Sequence, residues 1–306
     1  MITEPTVLVL GAGASMPYGF PSGKELRKKI CEKQDNLIEL MGPSPSSKDH
    51  IKEFVNAFRR SGTPSIDSFL EYRQEFIPIG KLAIAHALIP SEIGANLFKL
   101  EDPKNEYWYE YIFNEMNTNF EEFGNNKISF ITFNYDRSLE YYLFNVLKNK
   151  YGKTEKDVEE KLIEMEVVHL HGQLGYLPWQ DRDDKNKRAY DSSLNKETIE
   201  IAAEEIRIIH DEIDVNTDKQ FIMAHKILNE ATRIFFLGFG YNQTNLQRLK
   251  IHEMNDVGKI LAGTRKGITD NEARQISRNV NGKIKDKNFK DIDIISLFRN
   301  IHLLSD

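Results

Sequence analysis

The sequence predicts an α/β fold: a mostly parallel sheet, helices on both faces, and an inserted helical subdomain. Three observations predict it. Short apolar runs recur at Thr6–Leu10, Ile128–Phe133, Val167–Leu170, Ile234–Leu237 and Lys259–Ala262, each bounded by Gly, Asn or His. Helical periodicity lies between the later runs, and strands that alternate with helices pair in parallel. The interval from about 24 to 125 breaks that alternation, because it carries helical patterns and no convincing strand.

Each element has its own reason. Within 136–148, Leu139, Tyr142, Leu143, Val146 and Leu147 form one apolar stripe, which predicts a helix facing a sheet. Leu194–His210 and Lys219–Glu230 also read as helices. In the insertion, helices are expected over Lys24–Met41, Asp49–Arg60, Ser65–Phe76 and Glu106–Phe123. "GPSPSSKDH" at 42–50 reads as a Pro/Ser-rich loop, and "YLPWQDRDDKNKRAYD" at 176–191 as a polar loop near the site. The chain of 306 residues is read as one domain over 1–306 with its insertion at about 24–125.

Composition narrows the function classes. No apolar run approaches the roughly 18 residues of a membrane span. Met1–Pro5 has no basic stretch and leads into a strand, so no signal peptide is expected. The single cysteine, Cys31, excludes intrachain disulfides and cysteine-cluster zinc sites, and a cytoplasmic protein is the simplest reading. A net charge of −6 argues against a general duplex-DNA binder. The charge is uneven: 257–290 holds nine Lys or Arg against three acids, a net +6 that leaves −12 for the rest. That segment is either a solvated helical face or a docking surface for an acidic partner or another protomer.

The first run enters "GAGASMPYGFPSG" at 11–23. Gly11 and Gly13 allow a sharp turn and close approach of a pyrophosphate, and the helix behind them offers N–H groups. A dehydrogenase fingerprint fails here, because Met16 stands where its third glycine belongs and the acids about 20 residues on lie in a helical pattern. A P-loop fails too: three residues separate Gly19 from Gly23, and Glu25 replaces the Ser/Thr that holds magnesium. What remains is a turn with a small hydroxyl, Ser15, followed by Gly19 and Pro21.

Three further stretches carry chemistry. "FITFNYDRSLEYYL" at 130–143 is a strand running into a helix, with Thr132, Asn134 and Asp136 at its carboxyl end, where α/β folds put ligands. Capping accounts for one of these polar residues, Asp136 rather than Asn134. "EVVHLHGQLG" at 166–175 ends a strand in His169 and His171, expected on one face; it lacks a third and fourth zinc ligand, so no metal is expected. His171, beside Gly172, is the acid/base candidate, since an ordinary histidine titrates near neutral pH, and His169 reads as a core histidine. "IFFLGFGYNQTNLQRL" at 234–249 brings Gly238 and Gly240 to another strand end, with Asn242 as a helix cap.

These four stretches in this order resemble the sirtuin-like NAD hydrolase family, particularly the prokaryotic anti-phage defence effectors. The resemblance covers Val7 to about Leu249, with the insertion matching loosely through "SIDSFLEYRQEF" at 65–76, and it implies a Rossmann-like fold. It implies that Asn134 and His171 are catalytic, with Asp136 orienting its neighbours or sensing the nicotinamide carboxamide. It further implies that NAD+ is held as substrate by Gly11, Ala12, Gly13, Ala14, Ser15, Gly19, Pro21, Thr132, Gly238 and Gly240. Deacylating sirtuins carry an Asp-Phe-Arg where Ser22-Gly23-Lys24 stands here, and a four-cysteine zinc module that one cysteine excludes. Both absences favour the zinc-free, NAD-degrading branch. The implied activity is hydrolysis of the nicotinamide–ribose bond, controlled through a homo-oligomer or a separately encoded partner such as an ATPase. The rivals are an NAD- or ADP-ribose-binding module without turnover, and a protein ADP-ribosyltransferase or deacylase.

Overall fold

The computed structural model describes residues 1–42, 45–101, 106–180, 183–209 and 214–301. Six strands form one all-parallel sheet in the order β3-β2-β1-β4-β5-β6. They are β1 (Thr6–Leu10), β2 (Ile128–Thr132), β3 (Val167–His169), β4 (Arg233–Leu237), β5 (Ile260–Thr264) and β6 (Phe289–Lys290). The two-residue β6 carries no apolar run and escapes periodicity. The direction of strand addition reverses at β1, so the crevice past the ends of β1 and β4 is the switch point where such sheets take ligands. Leu10 is level with both Thr132 and Leu237, and Thr132 with His169, which brings four strand ends to one line.

The central strands are apolar on both faces because both faces are covered. Leu8, Leu10, Phe130, Phe235 and Leu237 pack into one core with the inserted helices. Val7, Val9, Ile131, Val168, Ile234 and Phe236 pack into a second core with helices Lys219–Glu230 and Asp270–Asn279. The insertion therefore shares its core with the sheet. Its middle is helix Ile77–Leu88, apolar almost all round and flanked by helices Gly23–Glu32, Pro45–Arg60 and Lys196–Glu205.

Boundaries differ from the sequence reading where caps intervene. The helix expected from 136 begins at Ser138 and runs to Tyr151, ending on the left-handed Gly152. The helix expected over 194–210 spans Lys196–Glu205 under an Asn195 capping box; position 210 lies outside the described residues. The 42–50 stretch is only in part a loop, since a helix starts at Pro45; positions 43 and 44 lie outside the described residues. Within 176–191, of which 181 and 182 are outside the described residues, Arg188 is buried and anchors the segment.

That anchor is an ionic knot. Glu92 accepts from Arg137 Nε at 2.9 Å and Nη2 at 2.7 Å, and also from Arg188 Nη2. Arg137 Nη1 donates to the Arg188 carbonyl at 2.7 Å and Arg188 Nε to Leu174 O at 3.1 Å. Burial pushes the Arg188 guanidinium down to about 10. At the other end of the sheet the basic segment works partly inside the fold. Lys259 donates to the Leu228 and Asn229 carbonyls at the end of helix Lys219–Glu230, Lys283 pairs with Asp256, and Lys266 with Glu106. No helix among the described residues is long and apolar enough to cross a membrane.

Candidate functional site

Past the ends of β1 and β4, two glycine turns lock together. Gly11 N–H donates to Leu237 O at 3.1 Å and Gly13 N–H to Gly238 O at 2.9 Å. Gly238 adopts a φ of +55°, and a Cβ there would stand 2.2 Å from Ala14 N; one on Gly13 would stand 2.8 Å from the Gly238 Cα. Glycine is required at both positions so that backbone can meet backbone. Ala14 N–H returns to Gly11 O at 2.9 Å, so three N–H groups of the first turn are already engaged within the protein. The glycines the sequence assigns to a ligand thus first serve packing, and of the turn only Gly11 and Ala12 line the cleft.

A polar network underneath fixes the turn. Asn134 Nδ2 donates to Gly11 O at 2.9 Å and to Ser15 Oγ at 3.1 Å, and Asn134 N–H donates to Thr132 Oγ1 at 3.0 Å. The carbonyl of Gly11 demands a donor, which fixes the amide orientation and turns Oδ1 to other partners. Asp136 Oδ1 accepts from Ser138 N–H at 3.2 Å and from the Ser138 hydroxyl, and its carboxylate is also bonded by Ser15. Burial pushes the Asp136 carboxyl above the ordinary carboxylate range. Asp136 does not line the cleft; it tethers the first turn of helix Ser138–Tyr151 to the glycine turn. The insertion closes the network from the far side: Trp108 Nε1 donates to Ala14 O at 2.8 Å, and Tyr109 shares a 2.7 Å hydrogen bond with Ser138.

The cleft, about 320 Å³, lies over these strand ends and is bounded by Gly11, Asn134, His171, Gly238, Gly240 and Asp67, among others. That volume is at the low end for small-molecule sites. Of the sequence-predicted residues, Asn134, His171, Gly11, Ala12, Gly238 and Gly240 meet here. Thr132 supports Asn134 from beneath. Gly13, Ala14 and Ser15 act through packing and the network, and Gly19 and Pro21 lie outside the cleft lining. Gly19 instead ends the short helix Met16–Tyr18 at a φ of +96°.

His169 and His171 do not share a face. β3 ends at His169, and the chain turns before Gly172, which has a φ of +69°. His169 points to Asn134 O (Nδ1, 3.3 Å) and to Glu140 Oε1 (Nε2, 2.6 Å). Both partners are acceptors, a setting that favours a proton on each ring nitrogen. Burial opposes that charge, but the Glu140 carboxylate outweighs it and raises His169 above the ordinary histidine value. His171 sits edge-on to Phe133, 5.4 Å between centroids. Its Nδ1 lies 3.3 Å from Asp67 Oδ1, out of line for a hydrogen bond, and neither buried ring nitrogen has a hydrogen-bond partner in the protein. Unpartnered buried polar atoms are rare, and at the wall of a cleft they mark a place where a ligand or water completes the bonding.

Asp67 is the residue that sequence reasoning missed. It belongs to helix Ile66–Tyr72, capped by Ser65, and it accepts a hydrogen bond from the Tyr135 hydroxyl. Burial alone would raise its carboxyl. The neighbouring His171 imidazole and that hydroxyl together outweigh burial and hold it below the ordinary carboxylate value. The only signal was "SIDSFLEYRQEF", which shows a capped helix and no partner. Across the cleft, Arg248 Nη2 pairs with Glu71 Oε1 at 2.6 Å. A larger cavity of about 610 Å³ opens on the outer side of β3, around Glu140, His169, Gln173 and Trp179. Its lining includes none of Gly11, Gly13, Gly238 and Gly240, so the smaller cleft is the candidate site.

Among the described residues no group of His, Cys, Asp and Glu side chains is arranged to hold a metal ion. No protein-family model matches the chain, and no curated protein matches it.

Proposed function

We propose that the protein is an NAD+ hydrolase that cleaves the nicotinamide–ribose bond to give nicotinamide and ADP-ribose. The observation that carries this reading is the meeting of Asn134 and His171 in one cleft at the sheet's switch point, the histidine with both ring nitrogens unpartnered. The four-motif resemblance supplies the substrate; the placement of Asn134 and His171 is compatible with it.

The chemistry asks little of a protein beyond position. Nicotinamide leaves NAD+ as a neutral molecule, taking the electron pair of the C1′–N bond. Water adds to C1′ of the oxocarbenium-like species, and its proton needs an acceptor. His171 takes that proton, and Asp67 stabilises the imidazolium that results. Asn134, its Nδ2 hydrogens held by Gly11 and Ser15, presents Oδ1 to a ribose hydroxyl or the water. Asp136 keeps Ser15 and Ser138 in place and touches no substrate. Depletion of NAD harms the host cell, so the activity belongs to a regulated effector, such as one of bacterial anti-phage defence, switched by self-assembly or by a partner such as an ATPase.

The test is nicotinamide release from NAD+ by the wild-type protein, with and without its cognate partner, against His171→Ala. Release that disappears in the variant supports hydrolysis. Tight NAD+ binding with no release under either condition would favour a binding module, and ADP-ribose found on protein would favour a transferase.

A further inference from the structure

The charges of the cleft do not suit a dinucleotide as they stand. A diphosphate brings two negative charges, and the cleft wall already carries Asp67 and Glu71. Three N–H groups of the glycine turn are engaged within the protein. Arg248 is the single Lys or Arg among the described residues lining the cleft. It reaches across to Glu71 at 2.6 Å, and both side chains are about 15% exposed, well enough shielded for charge to matter.

We propose that Arg248 is the phosphate-binding cation of this cleft and that Glu71 competes with the phosphate for it. This rests on the NAD reading for the identity of the ligand. The guanidinium carries five N–H donors in a planar fork suited to phosphate oxygens. Glu71 engages Nη2, and Ile209 O receives the same nitrogen at 3.5 Å. The backbone carbonyl of Arg248 is held by His225 Nε2 at 2.8 Å, so the residue is anchored at its main chain while its head can exchange partners. Glu71 lies on the same inserted helix as Asp67, so exchange at Arg248 loosens the helix that faces His171. Phosphate binding and the setting of the proton acceptor are thereby linked through one short helix.

The two partners of the bridge give opposite predictions, which a purely structural bridge does not. ADP-ribose is titrated calorimetrically into wild type, Arg248→Gln, Arg248→Lys and Glu71→Gln, with inorganic pyrophosphate as a second probe and circular dichroism as the fold control. Arg248→Gln weakens ADP-ribose binding about tenfold or more, and Arg248→Lys recovers part of it. Glu71→Gln strengthens it severalfold, because the competitor is gone. Equal weakening by Arg248→Gln and Glu71→Gln, or no effect of either, overturns the proposal while leaving the NAD reading of the cleft standing. Opposed effects on pyrophosphate without ADP-ribose binding keep the anion site and remove the NAD reading. Wild type that binds neither probe overturns both.

Discussion

His171 Nδ1 and Asp67 Oδ1 stand 3.3 Å apart at the cleft wall, one from the turn after β3 and the other from an inserted helix. The carboxylate faces the imidazole without forming a linear hydrogen bond, so it stabilises a proton on the ring without consuming a ring nitrogen. His171→Ala and Asn134→Ala are each expected to lower the rate of NAD+ hydrolysis by about 10²–10⁴-fold. Nicotinamide release under saturating NAD+ measures it, with the melting temperature as control. Wild-type turnover by either variant removes the assignment.

Asp67→Asn is expected to lower kcat by up to about 10²-fold with little change in KM, since it misplaces the proton acceptor and leaves the glycine turn intact. The same substitution alters acid stability. Asp67 is held below the ordinary value, so its contribution is fully present above about pH 4 and is lost as pH falls through its lower folded value. Denaturant midpoints between pH 5 and pH 3 should fall less steeply in Asp67→Asn than in wild type.

The His169–Glu140 pair has the opposite sign. His169 is raised above the ordinary histidine value, so its contribution is complete below about pH 6.5 and fades as pH rises through the raised value. Glu140→Gln should flatten the decline of melting temperature between pH 6 and pH 9. An unchanged slope would mean that this pair does not titrate as the geometry requires.

The two glycines of "GFG" should behave differently. Gly238→Ala forces a left-handed residue against Ala14 N and is expected to cost more than about 2 kcal/mol or prevent folding. Gly240→Ala meets nothing within 4 Å and should stay within about 1 kcal/mol of wild type. Chemical denaturation distinguishes them, and equal losses would contradict the turn-to-turn junction.

Glu92→Gln leaves two buried guanidinium groups around a neutral amide. A loss of about 3–5 kcal/mol is expected, with release of the segment around Arg188. Limited proteolysis near 176–191 reads the release. A stable, protected variant would show that the carbonyls of Leu174, Gly175 and Arg188 suffice to hold both arginines.

Local chemistry made much of this legible in the chain. β1 appears at Thr6–Leu10 and the helix at Lys219–Glu230 as periodicity sets them, because a doubly buried strand must be apolar throughout and an amphipathic helix must repeat its stripe. Asn134 and His171 were legible because strand ends adjoining Gly or a helix start are few. The two-residue β6 was not, since its pairing with β5 is decided by neighbours rather than by its own residues.

What the sequence determined by itself was the parallel α/β fold, the strand ends, and the residue types gathered there. Tertiary structure decided which of them meet. It sent His169 to Glu140 and His171 to Asp67, although only Leu170 separates the two histidines. It assigned Gly13 and Gly238 to backbone packing, and it brought Asp67 and Glu71 from the insertion to the cleft. The physical reason is range: backbone preference and hydrophobic period act over a few residues, whereas these contacts join segments whose approach is fixed only when the sheet and its inserted helices bury a common core.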